Sequence, residues 1–356
     1  MAPGMTRESW LDRLRWWFGP YDLNVQAPSA LPDRSASAMD ATLPVMDIAC
    51  AADAHYVPHC ATMLHSLFCH SADYRIRVHF LYPACLPSDM FSQFQDFINQ
   101  CGGEFLPTEV PDAEVEDLFA TAEISRVAWY RSLLPQLRPS LDRVLYLDCD
   151  TLIIDSLVDL WNVELGNNLI AAVPNVVDSR IATRHHALGV PADQTYINSG
   201  VLLMNLRAMR EEKCTEQILA HAREHGTRLI WVDQDSINKV LGVRCRKLSA
   251  RWNCQNSLFY WRSAKDVFGE DELQAAISNP AVIHFEGPGI AKPWHPLCRH
   301  PYTRHYRHHR SETPWPLEIP GASWRHRLML LLPLRITPPL LYKIHRLLRI
   351  VRARRR

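Results

Sequence analysis

Asp148 and Asp150 flank Cys149 at the end of the apolar run Val144-Leu-Tyr-Leu147. Four consecutive apolar residues read as a buried strand. Side chains alternate along a strand, so carboxylates two residues apart point the same way. Two like charges at the end of a buried strand need a counter-charge, or one of them takes up a proton. A hard divalent cation, Mg2+ or Mn2+, resolves that conflict. A surface turn is the alternative that the pair alone leaves open. His284 ends a second apolar stretch, Val282-Ile-His284, with Gly287 and Lys292 close behind. One His and two Asp make a workable metal set, and Lys292 with neighbouring backbone amides suits a diphosphate. A strand-end histidine that is only hydrogen-bonded fits the same spacing.

Three further groups carry chemistry. Arg131 lies in Ser125–Pro135, a helical pattern leading toward the acidic pair; its guanidinium suits a sugar or phosphate, or a surface salt bridge. Asn198-Ser-Gly200 opens the apolar run Val201–Leu206, and the glycine implies either a close backbone approach or a plain turn. In Asp233-Gln234-Asp235, Asp233 reads as a helix N-cap, with the apolar face starting at Ser236 or Ile237. Capping explains one acid, not both acids and the glutamine.

The elements that must position these groups follow in order. A strand at Val45–Ala51 leads into Ala52-Asp53-Ala-His-Tyr56, and a helix follows from about Pro58. Arg75–Tyr82 is a second strand, Leu86–Gln100 a helix, and Glu104-Phe-Leu-Pro107 a third strand. Leu169–Val173 reads as strand, Glu211–His225 as helix, Val243–Ser249 as strand and Arg251-Trp252-Asn253 as the start of a loop. A β-α-β-α-β order predicts an α/β fold with a mostly parallel sheet, whose ligands gather beyond the carboxyl ends of the strands. Asp53 and the Asp148/Asp150 pair fall at that edge.

The chain has 356 residues, 47% hydrophobic and 22% charged, which supports one large α/β body. Its ten cysteines form no CxxC pair and no small disulfide scaffold, so reduced thiols are expected. The first thirty residues lack the long apolar core of a signal peptide, and no stretch has the eighteen or more apolar residues of a membrane span. Residues 325–356 carry ten Lys/Arg and no acid; taking those ten from the net +1 leaves −9 on the rest. Nucleic-acid binding is excluded as the main role, because the basic residues are confined to the end and match no recognition motif. Leu340, Leu341, Ile344, Leu347, Leu348 and Val351 share one helical face, opposite Lys343, Arg346, Arg349 and Arg352. Such a helix suits an anionic membrane surface, or packing on the domain or a partner. At the other end, Trp10, Leu11, Leu14, Trp17 and Phe18 form an apolar face before Gly19-Pro20 and a linker. Three regions are expected: an amphipathic segment and linker (1–40), a catalytic domain (41–310) and a basic tail (311–356).

Five motifs in order resemble glycosyltransferase family 8, the retaining family that includes bacterial lipooligosaccharide galactosyltransferases and glycogenin. They are Ala51-Ala-Asp53-x-x-Tyr56, Leu145-Tyr-Leu-Asp148-Cys-Asp150, Asn198-Ser-Gly200-Val-Leu-Leu-Met-Asn205, Asp233-Gln234-Asp235, and His284-Phe-x-Gly287 with Lys292-Pro-Trp294. The resemblance covers about residues 45–300. It implies a GT-A fold, Rossmann-like with helices flanking the sheet, and transfer of galactose or glucose from UDP-galactose or UDP-glucose. Asp148, Asp150 and His284 would bind Mn2+ (Mg2+ as a substitute). Ala52, Asp53, Tyr56 and Cys149 would line the nucleotide site, and Gly287 and Lys292 would hold the pyrophosphate. Arg131 and Gln234 would lie beside the hexose, Asp233 would hydrogen-bond it, and Asn198 and Gly200 would wall the pocket. The implied acceptor is a lipid-linked saccharide or oligosaccharide, used at the cytoplasmic face of the inner membrane, where the basic tail would dock.

Two positions depart from the family pattern. Lys292 stands eight residues after His284, where the shorter form of the motif has six, and Asn175 replaces an Asp found near the acceptor in related galactosyltransferases. The rival expectations are a transferase acting on a protein or capsule precursor, and a non-catalytic binding protein on the same fold.

Overall fold

A computed structural model describes residues 42–177, 186–191, 193–260 and 263–317, together with Leu31. The amphipathic segments expected near both termini lie outside the described residues, apart from the start of the last region. Seven strands form the central sheet: β1 (Val45–Ala51), β2 (Arg75–Pro83), β3 (Glu104–Val110), β4 (Arg143–Leu147), β6 (Ile170–Pro174), β7 (Ile197–Asn205) and β8 (Cys245–Lys247). Their spatial order is β3-β2-β1-β4-β7-β6-β8. Strands β3, β2, β1 and β4 are mutually parallel, and β6 runs parallel to β8. Only β7 is reversed, pairing antiparallel with both β4 and β6. A second sheet has three short strands in the order β5-β10-β9, namely β5 (Thr151–Ile153), β10 (Val282–His284) and β9 (Cys254–Gln255). The α/β class and mostly parallel sheet match the sequence expectation.

Helices cover both faces of the main sheet. Those that bear on the site are α1 (Val57–Cys69), α2 (Ser88–Gln100), α3 (Tyr130–Leu137), α4 (Cys214–His225), α5 (Asp233–Leu241), α6 (Glu270–Ser278) and α7 (Thr303–Ser311). Because both faces are covered, the central strands are buried throughout, as the apolar runs required. Along β4, Leu145 and Leu147 enter one core with Phe68 and Phe80, whereas Val144 and Tyr146 enter the other with Trp129 and Leu133. Among the described residues, no helix is long and apolar enough to cross a membrane. All ten cysteines are free thiols.

Several expected boundaries shift. The helical pattern at 125–135 is a 3-10 turn at Arg126–Trp129 that leads into α3. The helix expected at Glu211–His225 is two pieces, Leu206–Glu211 and α4, because Lys213 adopts a left-handed φ of 54° between them. Residues 242–244 form a 3-10 turn, so β8 begins later than Val243, and Arg251–Asn253 belong to a 3-10 turn rather than an open loop.

His300 shows how this interior responds to acid. Its ring is 3% exposed and sits edge-on to Phe259 at 4.5 Å and Phe285 at 4.9 Å. Burial pushes its pKa down to about 3. The unfolded chain therefore binds the proton more tightly below about pH 6.5, the ordinary histidine value. The stability this contributes is complete above that pH and is lost as pH falls toward 3, at up to about 1.4 kcal/mol per pH unit. The urea midpoint is expected to fall between pH 7 and 5.5, and less steeply in His300→Phe, which cannot charge. Equal slopes for the two proteins would contradict this account.

Candidate active site

Strand polarity assembles the site. The parallel strands β1 and β4 end at the same edge, delivering Asp53 just past β1 and Asp148 just past β4. Reversed β7 starts at that edge, so Asn198, Ser199 and Gly200 arrive from its amino end. The Asp148 amide donates to the Gly200 carbonyl at 2.8 Å. The second sheet brings in the rest: Thr151 of β5 pairs with His284 of β10, and the Phe285 amide donates to the Asp150 carbonyl at 3.0 Å.

Arg131, on α3, is 5% exposed and lies at the centre of the cluster. Its Nη2 is 3.0 Å from Asp148 Oδ1 and its Nε 3.0 Å from Asp233 Oδ2. Nη1 donates to the Ser199 carbonyl at 2.6 Å, and the guanidinium lies 4.5 Å from the centre of the Tyr146 ring. This is a buried ion network, not the surface salt bridge that the sequence left open. Burial disfavours the Arg131 charge, but Asp148 and Asp233 outweigh it and raise its pKa. Asp233 is pushed up to about 7 by burial, against the pull of Arg131 and with Asp148 adding to the rise.

The capping role expected of Asp233 is not what the structure shows. Asp233 is not the N-cap of α5; Val232 holds that position with φ 50°, and Asp233 is the first helical residue. Asp235 braces the turn that precedes the helix, its Oδ2 accepting from the amides of Ile230 and Trp231 and its Oδ1 from the Tyr196 hydroxyl. A β-branched residue in the left-handed region is strained by about 1–3 kcal/mol. That turn directs Asp233 toward Arg131. Gln234 Oε1 accepts from the Ser199 amide at 3.0 Å.

His284 Nε2 lies 3.3 Å from Asp150 Oδ1 and 3.9 Å from Asp148 Oδ2. Its Nδ1 is 2.9 Å from Asn253 Oδ1, an acceptor, so Nδ1 carries the proton, and in the neutral ring the Nε2 lone pair faces the oxygens of Asp150 and Asp148. Asn253 Nδ2 donates to Asn198 Oδ1, which also accepts from the Gly200 amide. Asn253 was missed by sequence reasoning, because a lone Asn in an apparent loop carries no spacing signal. Gly200 is needed for a close approach and not for a turn: a Cβ there would lie 2.3 Å from His284 Cε1 and 2.9 Å from Asp148 Oδ2.

Lys292 reaches the same centre. Its Nζ donates to Asp150 Oδ2 and, at 3.0 Å, to the Phe285 carbonyl. The two extra residues after His284 are taken up by a left-handed Gly287 (φ +86°) and a 3-10 turn at Gly289–Ala291. Burial raises the Asp150 pKa, but Lys292 and His284 outweigh it and hold the carboxyl well below its usual range. Burial likewise depresses His284, yet Asp150 and Asp148 raise it overall. Ligand atoms of Asp148, Asp150 and His284 lie within 4.8 Å of one another. Two acids and an imidazole that attract a proton and an ammonium in this way fit a divalent cation.

The model of glycosyl transferase family 8 matches residues 47–298, most of the chain. The chain belongs to glycosyl transferase family 8. It is a glycosyltransferase with the GT-A fold, similar to the solved galactosyltransferase LgtC in complex with donor and acceptor sugar analogues. That likeness has a TM-score of 0.66 at 25% identity and covers 79% of this chain and 99% of LgtC. General stress protein A of Bacillus subtilis is 27% identical over 76% of this chain and 95% of its own length. Lipopolysaccharide 1,3-galactosyltransferase of Salmonella typhimurium is 28% identical over 49% of this chain, which spans half of that relative.

The remaining residues expected in this family 8 site are arranged unevenly. Tyr56 is half-buried at the start of α1, edge-on to Trp294 at 6.1 Å, while His59 stacks on Trp294 at 3.5 Å. Lys292 Nζ lies 5.5 Å from the centre of the Trp294 ring, which links this aromatic group to Asp150. Asp53 Oδ1 accepts from the amides of His55 and Tyr56, so part of its carboxylate shapes the start of α1. Ala52 is fully buried, and the Cys149 thiol turns away to the Ala51 carbonyl at 3.2 Å. Neither side chain is open to a ligand. Asn175 is 8% exposed, its amide donating to the Tyr196 carbonyl.

Removing one member of a buried ion pair leaves the other charge uncompensated, at about 3–5 kcal/mol. Arg131→Ala is therefore expected to lose about that much unfolding free energy at pH 8.5, where Asp233 is ionised. Adding Asp233→Ala should recover part of it. Strictly additive losses in this double-mutant cycle would sink the network reading.

Proposed function

We propose that this chain moves galactose or glucose from a UDP-sugar to a hydroxyl of a lipid-linked saccharide, with retention at the anomeric carbon, in lipopolysaccharide or lipooligosaccharide synthesis. The observation that carries the reading is the convergence of Asp148, Asp150, His284 and Lys292 at the carboxyl edge of the sheet. Relatives support the substrate class: the Salmonella protein is named a galactosyltransferase, and an Escherichia coli relative, 26% identical over 49% of this chain, is named lipopolysaccharide 1,2-glucosyltransferase.

Asp148, Asp150 and His284 would hold Mn2+, or Mg2+ in its place. When bound, the dication neutralises charge developing on the diphosphate leaving group. Lys292 adds a second positive group beside Asp150 and can pass to a phosphate oxygen, since its flexible stem already reaches the centre of the site. Arg131 has a different role, because its nitrogens are committed to Asp148, Asp233 and Ser199. It fixes Asp148 as a ligand and holds Asp233 toward the sugar pocket. Asn253 and Asn198 orient His284 and the Gly200 backbone.

Retention follows from attack on the face that the leaving group departs. The acceptor oxygen bonds the anomeric carbon as the bond to the diphosphate breaks, and the acceptor proton passes to the departing diphosphate oxygen. Double displacement requires a carboxylate nucleophile. Gln234 is a carboxamide and a poor one; its Oε1, aligned by the Ser199 amide, faces the oxocarbenium-like charge as a dipole.

A panel of UDP-sugars with Mn2+ tests the activity. UDP release from one sugar, its loss in EDTA, and a fall of at least about 10²-fold in Asp150→Asn are expected. Release that survives both EDTA and the substitution would refute the metal-dependent reading. Mn2+-dependent UDP binding without turnover on any sugar or saccharide acceptor would favour a binding protein.

The basic, amphipathic sequence of residues 340–352 supports docking on the anionic inner face of the plasma membrane, each basic residue contributing about 1 kcal/mol near the surface. Sedimentation with phosphatidylglycerol vesicles should fall at high salt and on deletion of residues 325–356. Undiminished sedimentation under either condition would rule out electrostatic docking through the tail.

A further inference from the structure

A second cluster of metal-ligating side chains lies between α1 and α7. His65 and Cys69 are four residues apart on α1, a spacing that puts both on one helical face. His309 faces them from α7, and its Nδ1 is 2.9 Å from His65 Nδ1. Cys69 Sγ is 3.8 Å from the same His65 nitrogen. The three ligand atoms lie within 4.8 Å of one another. His65 and His309 are 2% and 1% exposed, whereas Cys69 is half-buried.

We propose that His65, Cys69 and His309 form a metal centre for Zn2+, separate from the acidic site, that ties α7 to α1. The donor set selects the metal. One thiolate and two imidazoles suit a borderline-soft cation that is indifferent to d-electron geometry, whereas Mn2+ and Mg2+ prefer the oxygen-rich set at Asp148 and Asp150. Tetrahedral Zn–N bonds of about 2.0–2.1 Å and a Zn–S bond of about 2.3 Å set ligand separations of roughly 3.3 Å between nitrogens and 3.6 Å between nitrogen and sulfur. The Cys69–His65 distance is already near that value. The two histidines need to part by a few tenths of an ångström, which small side-chain rotations supply. On binding, the Cys69 thiol releases its proton to solvent and the sulfur lone pair bonds the metal. Water takes the fourth position from the side on which Cys69 is accessible.

The position gives the centre a role. Helix α7 lies beyond residue 298, where the family match ends, and it is the last described helix before the basic tail. Helix α1 begins beside Tyr56 and His59 at the nucleotide side of the active site. A metal between them pins the start of the C-terminal region to the helix that frames that site, and stabilises the folded state by mass action.

The test uses the full chain in an Asp148→Asn/Asp150→Asn background, which silences the acidic site. Equilibrium dialysis against Zn2+ is expected to find one tightly held ion per chain. Cys69→Ser and His309→Gln should each weaken it by at least the roughly 10–100-fold that loss of even an outer-shell partner costs. Co2+ should give tetrahedral visible bands with a thiolate charge-transfer band that Cys69→Ser removes. A measurement without variants at this centre guards against misfolding: Zn2+ should protect Cys69 from alkylation while exposed Cys85 reacts regardless. No bound Zn2+, or Zn2+ held equally by Cys69→Ser with Cys69 still open to alkylation, would overturn the proposal.

Discussion

Three carboxylates, Asp148, Asp150 and Asp233, converge in a mostly buried pocket, and the architecture around them depends on how their charge is met. Left alone, a buried carboxylate takes up a proton or unfolds its surroundings. Here the three meet different fates. Asp148 and Asp233 share Arg131, yet burial, with Asp148 adding to it, pushes the Asp233 pKa up to about 7. Asp150, facing Lys292 and His284, is held ionised. Such a cluster is costly as a structural device and useful as a place to receive a cation.

Topology decides that these charges meet at all. An all-parallel sheet would put the start of β7 at the opposite edge from the end of β4. Reversing β7 brings Asn198, Ser199 and Gly200 to the carboxyl edge, where Ser199 holds both Arg131 and Gln234. The small second sheet completes the set, because antiparallel pairing of β5 with β10 aligns Thr151 with His284 one residue from Asp150. The packing is close enough that position 200 tolerates no side chain.

Much of this was legible in the sequence where residue type and position coincide. Acids just past an apolar strand, a histidine ending another, and a glycine after Asn198 each mark an edge at which the chain stops being core. The parallel sheet followed from alternating strand and helix patterns. What was not legible depends on partners distant in sequence. Asp233 and Asp235 have the same chemistry at nearly the same place, and only the left-handed turn at Val232 decides which braces the preceding loop and which meets Arg131. Asn253 has no local signature; its importance comes from lying between His284 and Asn198. Arg131 read as a candidate ligand clamp; its ion pairs with Asp148 and Asp233, 17 and 102 residues away, had no local signature.

The positive groups differ in how firmly they are held, and that difference separates scaffold from working parts. Arg131 is buried, stacked on Tyr146 and bonded through each guanidinium nitrogen, so moving it would strand two carboxylates and a carbonyl. Lys292 sits at the end of a flexible stem after a glycine-containing turn, with only Asp150 and the Phe285 carbonyl as hydrogen-bond acceptors. A dication held by Asp148, Asp150 and His284 would take over the charge that Lys292 supplies to Asp150, and Arg131 would stay in place. Lys292, no longer needed by Asp150, would then be the group available to the anionic leaving group of the proposed reaction.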